Sequence, residues 1–261
     1  MKNLFNISII AIIVGLSSCT KIIELDLNDA DRVIVVDAMV SNIAEYNYVK
    51  LSKSDNFYET EDFENVTGAV ISISDENGNI FPLLEVSPGM YTNPLLVGTD
   101  YTTYDLSIDV EGEIITASTY LAGSTSIDSI VTQKAPGGFF GDGYTAFTYW
   151  TDDVSERNYY RIRTFENGAK ENIIYFSEDG LYNGIATGQP LFTNTYDSSD
   201  IARIELMEID ADTYEYWFSL SQISDPQNQP AAPGNPETNL SGNAIGYFGG
   251  YNMDTISVIV Q

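Results

Sequence analysis

The sequence predicts a mainly β protein: a β-sandwich over residues 31–122, then a second β-rich sandwich or barrel-like domain over residues 123–261 with one short helix. Three observations point there. Short runs rich in Val, Ile, Thr and aromatic residues recur at sandwich-like spacing, with turn residues between them. Apolar and polar residues alternate within several of these runs. A hydrophobic content of 43%, with 18 tyrosines and 12 phenylalanines, supplies a packed core where a disordered acidic chain would lack one.

The runs Arg32 to Val40 and Tyr48 to Leu51 bracket a polar turn around Asn42 to Asn47, which predicts two pairing strands. From Thr67 to Ile73, Ala69, Ile71 and Ile73 alternate with Val70 and Ser72. Asp75-Glu76-Asn77-Gly78-Asn79 then interrupts before Ile80 to Leu84, a hairpin in which Asn-Gly supplies positive φ angles. Tyr104 to Val110 and Ile114 to Tyr120 flank Glu111-Gly112-Glu113 as two more strands. Leu121 to Ser126 is a small, polar stretch, either a domain boundary or a crossover inside one larger β fold.

The second half opens with Ile127 to Val131 and a glycine-rich loop, Pro136 to Gly143. Strands are expected at Tyr144 to Trp150, Tyr159 to Phe165, Asn172 to Phe176 and Ala202 to Ile209. Asp212-Thr213-Tyr214-Glu215 has the form of a capping box, and Tyr214, Trp217, Phe218 and Ser221 share one face, so Tyr214 to Gln222 is predicted as an amphipathic helix over a sheet. Four prolines between Pro226 and Pro236 forbid regular structure. Asn243 to Gly250 is a glycine-punctuated bend packing aromatic rings, and Thr255 to Val260 is a last strand.

The N-terminus carries a different signal. Lys2 precedes an apolar run from Leu4 to Leu16, and Leu16-Ser17-Ser18-Cys19 follows at once. The run is well short of the ~20 residues of a membrane-spanning helix, and its basic start and small-residue end are those of an export signal over residues 1–18. Leu-Ser-Ser-Cys resembles the bacterial lipobox, which implies that Cys19 is acylated and becomes the first residue of a tether over 19–30. Multiple acyl chains hold a protein stably on a membrane where one does not. Thr20 is not the aspartate that resembles an inner-membrane retention signal, so delivery to the outer membrane is expected. Lys21, Glu24 and Asp26 loosely resemble the acidic run of surface-exported lipoproteins, which favours the cell surface over the periplasmic face.

Composition excludes several chemistries. Eleven basic residues oppose 38 acidic ones, a net charge of −27, which repels nucleic acid and anionic membrane surfaces. With no histidine and one cysteine, Ser-His-Asp and Cys-His catalysis, histidine-ligated zinc and thiol chemistry are absent. Catalysis would have to rest on carboxylates, tyrosines, lysines or calcium, and no enzyme is expected.

The lipobox, Arg32 to Ala38, Val66-Thr67-Gly68-Ala69-Val70-Ile71-Ser72-Ile73 with Asp75-Glu76-Asn77-Gly78, Gly89-Met90-Tyr91, Asn158-Tyr159-Tyr160-Arg161 and Gly242 to Gly249 occur in this order. Together they resemble the domain of unknown function 4249 family over nearly the whole mature chain. The resemblance implies a lipoprotein of Bacteroidota, often encoded beside a TonB-dependent outer-membrane receptor, and it implies no catalytic residues. The Val-Thr-Gly-Ala-Val segment with Gly-x-Tyr is similar to the first strands of transthyretin-like domains, which implies an immunoglobulin-like first sandwich.

Several constellations are candidates for chemistry. Asp75, Asn77 and Asn79 imitate the first ligands of a calcium loop, but Ile80 stands where the turn glycine belongs, and a plain hairpin is the stronger reading. Calcium is the only cofactor left open. Asp152-Asp153 with Glu156, and Glu178-Asp179, are candidate carboxylate pairs for glycoside hydrolysis, set against solvated loops. Phe139, Phe140 and Tyr144, and Tyr247 with Phe248, are candidate contacts for a glycan, a peptide or a partner protein. Asp128-Ser129-Ile130 and Asp254-Thr255-Ile256 resemble a short O-glycosylation sequon. The expected function is a lipid-anchored, non-catalytic accessory or ligand-binding component associated with a TonB-dependent transporter. The alternatives are a carboxylate- or calcium-dependent surface hydrolase and an adhesion or envelope-assembly protein.

Overall fold

The alternating runs of the first half become seven strands: β1 (Ile34–Ser41), β2 (Tyr48–Lys53), β3 (Val70–Asp75), β4 (Ile80–Ser87), β5 (Met90–Thr92), β6 (Thr102–Val110) and β7 (Glu113–Leu121). The computed structural model describes residues 32–54, 63–135, 137, 142–180, 183–191, 195–224 and 234–261. β1, β2 and β5 form one layer, β3, β6 and β7 the other, and β4 belongs to both. Its Ile80–Leu83 segment pairs with β3, and its Leu84–Ser87 segment pairs with β5 across a bulge between Glu85 and Ser87. A bulge bends a strand, and here it folds one continuous ladder into a sandwich. Between the layers lie Val36, Val40, Leu51, Ile73, Leu106, Ile108 and Ile115. Each such side chain contributes about 2 kcal/mol by leaving water.

The β3–β4 hairpin is as expected, with a different turn. Gly78 N donates to Asp75 O at 3.0 Å, and of the turn residues only Gly78 has positive φ, at 84°. This is a type I turn closed by a left-handed glycine, not an Asn-Gly pair with both residues left-handed.

The second half contributes β8 (Ile127–Lys134), β9 (Tyr144–Thr151), β10 (Tyr159–Glu166), β11 (Ala169–Lys170), β12 (Tyr175–Glu178), β13 (Ala186–Pro190) and β14 (Ile201–Ile209). β8, β9 and β13 form a three-stranded sheet, and β10 pairs with β11, β12 and β14. Trp150, Tyr160, Ile162, Ile204 and Leu206 fill a second core, with Trp150 and Tyr160 edge to face at 5.3 Å. The sheets are open, and the second half is not a barrel. Leu121 is the last residue of β7 in the first core and Ile127 the first of the second, so the stretch 122–126 passes from one core to the other.

One element serves both cores. β15 (Ala244–Ile259) runs parallel to β1 from Ala244 to Tyr251, then antiparallel to β14 from Tyr251 to Ile259. The glycine-punctuated segment expected to bend is therefore extended, and continuous with the last predicted strand. Glycine is required there for approach: a Cβ on Gly246, at φ +107°, would stand 1.9 Å from Val36 O. Phe248 points into the first core, while Ile256, Val258 and Val260 pack on the second. Residues 32–261 form one compact unit.

Helix α1 (Ala211–Ser224) starts three residues before the predicted Tyr214 and has a different cap. Asp210 Oδ1 accepts from Thr213 N at 2.8 Å, so the capping residue is Asp210, not Asp212. Its other oxygen, Oδ2, accepts from Thr119 Oγ1 at 2.7 Å and Tyr120 N at 2.9 Å, which ties the helix start to β7. Asp210 follows β14 without a loop, and that tether to β7 gives it the advantage over Asp212. Among the described residues no helix is long and apolar enough to cross a membrane.

Candidate functional site

Side chains alternate across a sheet, so the face opposite the second core collects the odd-numbered residues of β10, β14 and β15. Tyr159, Arg161 and Arg163 come from β10, Arg203 and Glu205 from β14, and Tyr247 and Tyr251 from β15. Asp37 on β1 and Tyr48 and Lys50 on β2 extend the same face. Helix α1 and the 3-10 turn Ala44–Tyr46 lie against it, packing Tyr46, Tyr214, Tyr216 and Trp217 around Met39, Met207 and Met253.

The face is built around paired charges and aromatic rings. Glu205 is fully buried and is held by three partners: Arg163 Nε at 2.7 Å, Arg203 Nη1 at 2.7 Å and the Tyr46 hydroxyl at 3.0 Å. Charge-assisted bonds of this kind compensate the carboxylate for its lost water. Arg203 also stacks 3.5 Å over Phe165. Trp217 Nε1 donates to Tyr251 OH at 2.7 Å, which donates to Tyr247 OH at 3.1 Å, and Tyr216 stacks on Tyr247 at 4.3 Å.

Arg161 is different. It is 7% exposed, its guanidinium lies 3.5 Å over the Trp217 ring, and its buried Nε has no acceptor. Lys170, exposed at the sheet edge on β11, has its ammonium held below the ordinary value, by partial desolvation first and then by Arg161 and Arg163. Tyr48 donates to Asp37 Oδ1 at 3.1 Å, and burial pushes its phenol up. Tyr216 is pushed up to about 12 by burial and by Asp37. These phenols keep their protons at neutral pH, so the face offers hydrogen bonds, aromatic rings and paired charges.

The sequence-derived candidates fall in several places. Tyr247 is 4% exposed within this face, under Tyr216. Phe248, its neighbour, is sealed in the first core. Tyr144 begins β9, packs on the second core and pairs through its backbone with Tyr196. Cys19, Phe139 and Phe140 lie outside the described residues. Asp75 accepts from Asn77 N, Asn79 N and Asn79 Nδ2 at 2.7–3.0 Å, which commits its oxygens to the hairpin. Among the described residues no group of three or more acids is placed to hold a metal ion. Ser129 and Thr255 are exposed on β8 and β15.

The candidate carboxylates separate. Glu178 is exposed and pairs with Arg157 at 2.5 Å, and Asp153 is a loop residue accepting from Ser155 N. Asp152 is buried, accepting from Tyr160 OH at 2.5 Å and Gly184 N at 2.9 Å. Beside it stands Glu208, which the sequence did not single out. It is 2% exposed, accepts from Thr125 Oγ1 and Asn158 Nδ2, and is pushed up to about 7 by burial, with Glu156 and Asp152 adding in the same direction. Both oxygens of Asp152 and of Glu208 are occupied, so the two brace the end of the second core, whereas the buried Asp179 leaves Oδ2 without a partner.

Sequence reading passed over Arg161, Arg163, Arg203, Glu205 and Lys170. The usable signal was charge at alternate positions inside apolar strands: Arg161-x-Arg163 in one and Arg203-x-Glu205 in the other. Such spacing puts all four on one face.

No curated protein matches the sequence. Among solved structures, the chicken CNTN1 FN1-FN3 domains align over 87% of this chain and 66% of their own length, at 12% identity and a TM-score of 0.24. The sequence profile described as a domain of unknown function matches residues 20–257, nearly the whole chain. The chain therefore belongs to the DUF4249 family.

Proposed function

We propose that this chain is a lipid-anchored, non-catalytic component of the bacterial cell envelope that binds a ligand, or docks on a TonB-dependent outer-membrane receptor, through the sheet face beside α1. The observation that carries the reading is that face itself. In a chain of net charge −27 it gathers Arg161, Arg163, Arg203, Lys50 and Lys170 against two carboxylates, Asp37 and Glu205, among partly exposed tyrosines and a tryptophan. Aromatic and arginine side chains are those enriched where proteins recognise partners. Support for the anchor comes from the export signal and from Cys19 at its end. The buried Asp152 and Glu208 favour binding over hydrolysis, because a carboxylate pair must reach substrate and a water, and their oxygens are engaged within the protein.

The test is affinity purification of the intact lipoprotein from gently solubilised outer membranes, with a Cys19→Ala control. Stoichiometric recovery of a TonB-dependent receptor supports the accessory role, and recovery of the lipoprotein alone removes the partner from it. Cys19→Ala should leave the membrane fraction. Continued sedimentation with membranes would refute acylation at this residue.

A further inference from the structure

The first sandwich shows how this fold closes the seam between its two layers. β7 ends one layer, and β15 before Tyr251 has β1 on one side and no strand on the other. Residues 238–241 lie along both. Thr238 Oγ1 donates to Gly246 O at 2.6 Å, Asn239 Nδ2 to Phe248 O at 2.7 Å and to Ser118 O at 3.0 Å, and Ser241 N to Thr116 O at 2.7 Å. A length of polypeptide therefore fills that gap through hydrogen bonds to the main chain of each edge.

The second sandwich has a corresponding seam, and among the described residues nothing fills it. β12 pairs with β10 alone and β13 with β9 alone. Between them lies a cleft of about 390 Å³, lined by β13 on one wall, by Phe176 and Ser177 of β12 on the other, and by Trp150. That size is within the roughly 300–1,000 Å³ of ligand clefts. In an antiparallel pair, alternate residues turn both N–H and C=O toward the partner, and those between turn them away. Leu191 N donates to Ala146 O and Asp179 N to Asn158 O, which fixes the alternation. Thr187 and Gln189 thus bond to β9, and Ala186 and Gly188 turn their main-chain groups to the open edge. Ser177 bonds to β10, and Phe176 turns its own groups outward from the opposite wall. Pro190 has no N–H to offer and ends the row. Open strand edges recruit a further strand. Phe176 also packs edge to face on Tyr214 and Phe218 of α1, so the cleft borders the face described above.

We propose that the cleft between β12 and β13 receives an extended segment of a partner protein, which joins the edge of β13 as an added strand. This deepens the docking reading above and rests on it. The outward main-chain groups of Ala186 and Gly188 recur at the two-residue repeat of a strand, which an extended polypeptide matches along its length. The lining residues are uncharged, so the entering segment is uncharged as well.

The probe is the blocked pentapeptide threonyl-valyl-threonyl-valyl-threonine amide, uncharged and strand-forming, titrated by calorimetry into the intact lipoprotein in detergent. It should bind, and it should slow amide exchange at Ala186 and Gly188. The same peptide methylated at every peptide nitrogen keeps its side chains but cannot donate, and should bind about tenfold more weakly or worse. Ala186→Pro removes a donor from the open edge and none from the ladder with β9, and should weaken binding about threefold or more. If that variant fails to fold, the methylated peptide decides the question on the wild-type protein. No saturable binding, equal binding of the methylated peptide, or Ala186 and Gly188 amides as slow in the free protein as those of Thr187 and Gln189 would overturn the proposal. Recovery of the receptor with a lipoprotein that ignores the peptide would overturn this cleft alone and leave the docking reading. Peptide binding by a lipoprotein recovered without a receptor would uphold the cleft and remove that receptor as the source of the strand.

Discussion

Glu208 is an ordinary carboxyl made unusual by its surroundings: burial carries it from 4.5 to about 7 while Thr125 and Asn158 hold its oxygens. A carboxyl whose pKa is higher folded than unfolded stabilises the fold fully below the unfolded value, and that contribution is lost as pH rises through the folded value. Between pH 4.5 and 7 it is worth about 3 kcal/mol, and Glu166, raised by burial, acts in the same direction. Asp75 and Asp200, lowered by side-chain hydrogen bonds from Asn79 and Asn167, lose their contribution only at more acidic pH. The melting temperature should therefore rise as pH falls from 8 to 5.5, and Glu208→Gln should flatten most of that slope. An unchanged slope in thermal melts would remove Glu208 as its source. Gly246 is constrained by space rather than charge. Gly246→Ala, which puts a Cβ against Val36 O, should cost about 3 kcal/mol through overpacking and backbone strain, measured by urea titration.

Helix α1 shows where element-level reading succeeds and where it stops. Asp210→Ala should destabilise the protein by about 2 kcal/mol, since it removes the cap and two bonds to β7 at once. Asp212→Ala should stay within about 0.5 kcal/mol. Comparable losses in denaturant titrations would restore Asp212 as the cap. A capping box is a local pattern, and the sequence displays it at Asp212; the competing interaction with Thr119 and Tyr120 on β7 is invisible until the chain folds. Strands were legible for the opposite reason. Ile71 and Ile73, or Leu106 and Ile108, face the core with polar residues between them, and that alternation is written locally. β13, with Ala186, Thr187, Gly188, Gln189 and Pro190, has no such alternation and forms by pairing with β9. The candidate site was legible at Tyr247 alone, because its charged residues are neighbours only through the pairing of β10 with β14.

At the scale of the molecule, β15 contributes to both cores, so neither can lose it and stay whole. Heating should give one cooperative transition, with β1 and β14 amides exchanging together; two resolved transitions in calorimetry would show that the halves unfold independently. The same strand has a consequence for synthesis. β1 is made near the start of the chain, but its parallel partner begins at Ala244, about two hundred residues later. Until the ribosome has delivered that segment, Ile34-Val35-Val36 has one edge without a partner, an apolar β-branched run of the kind that templates pairing between chains. Closing a loop of that length is also slow relative to local hairpins. The nascent protein thus passes most of its synthesis with its first strand open on one side, and shielding that edge falls to whatever holds the growing chain.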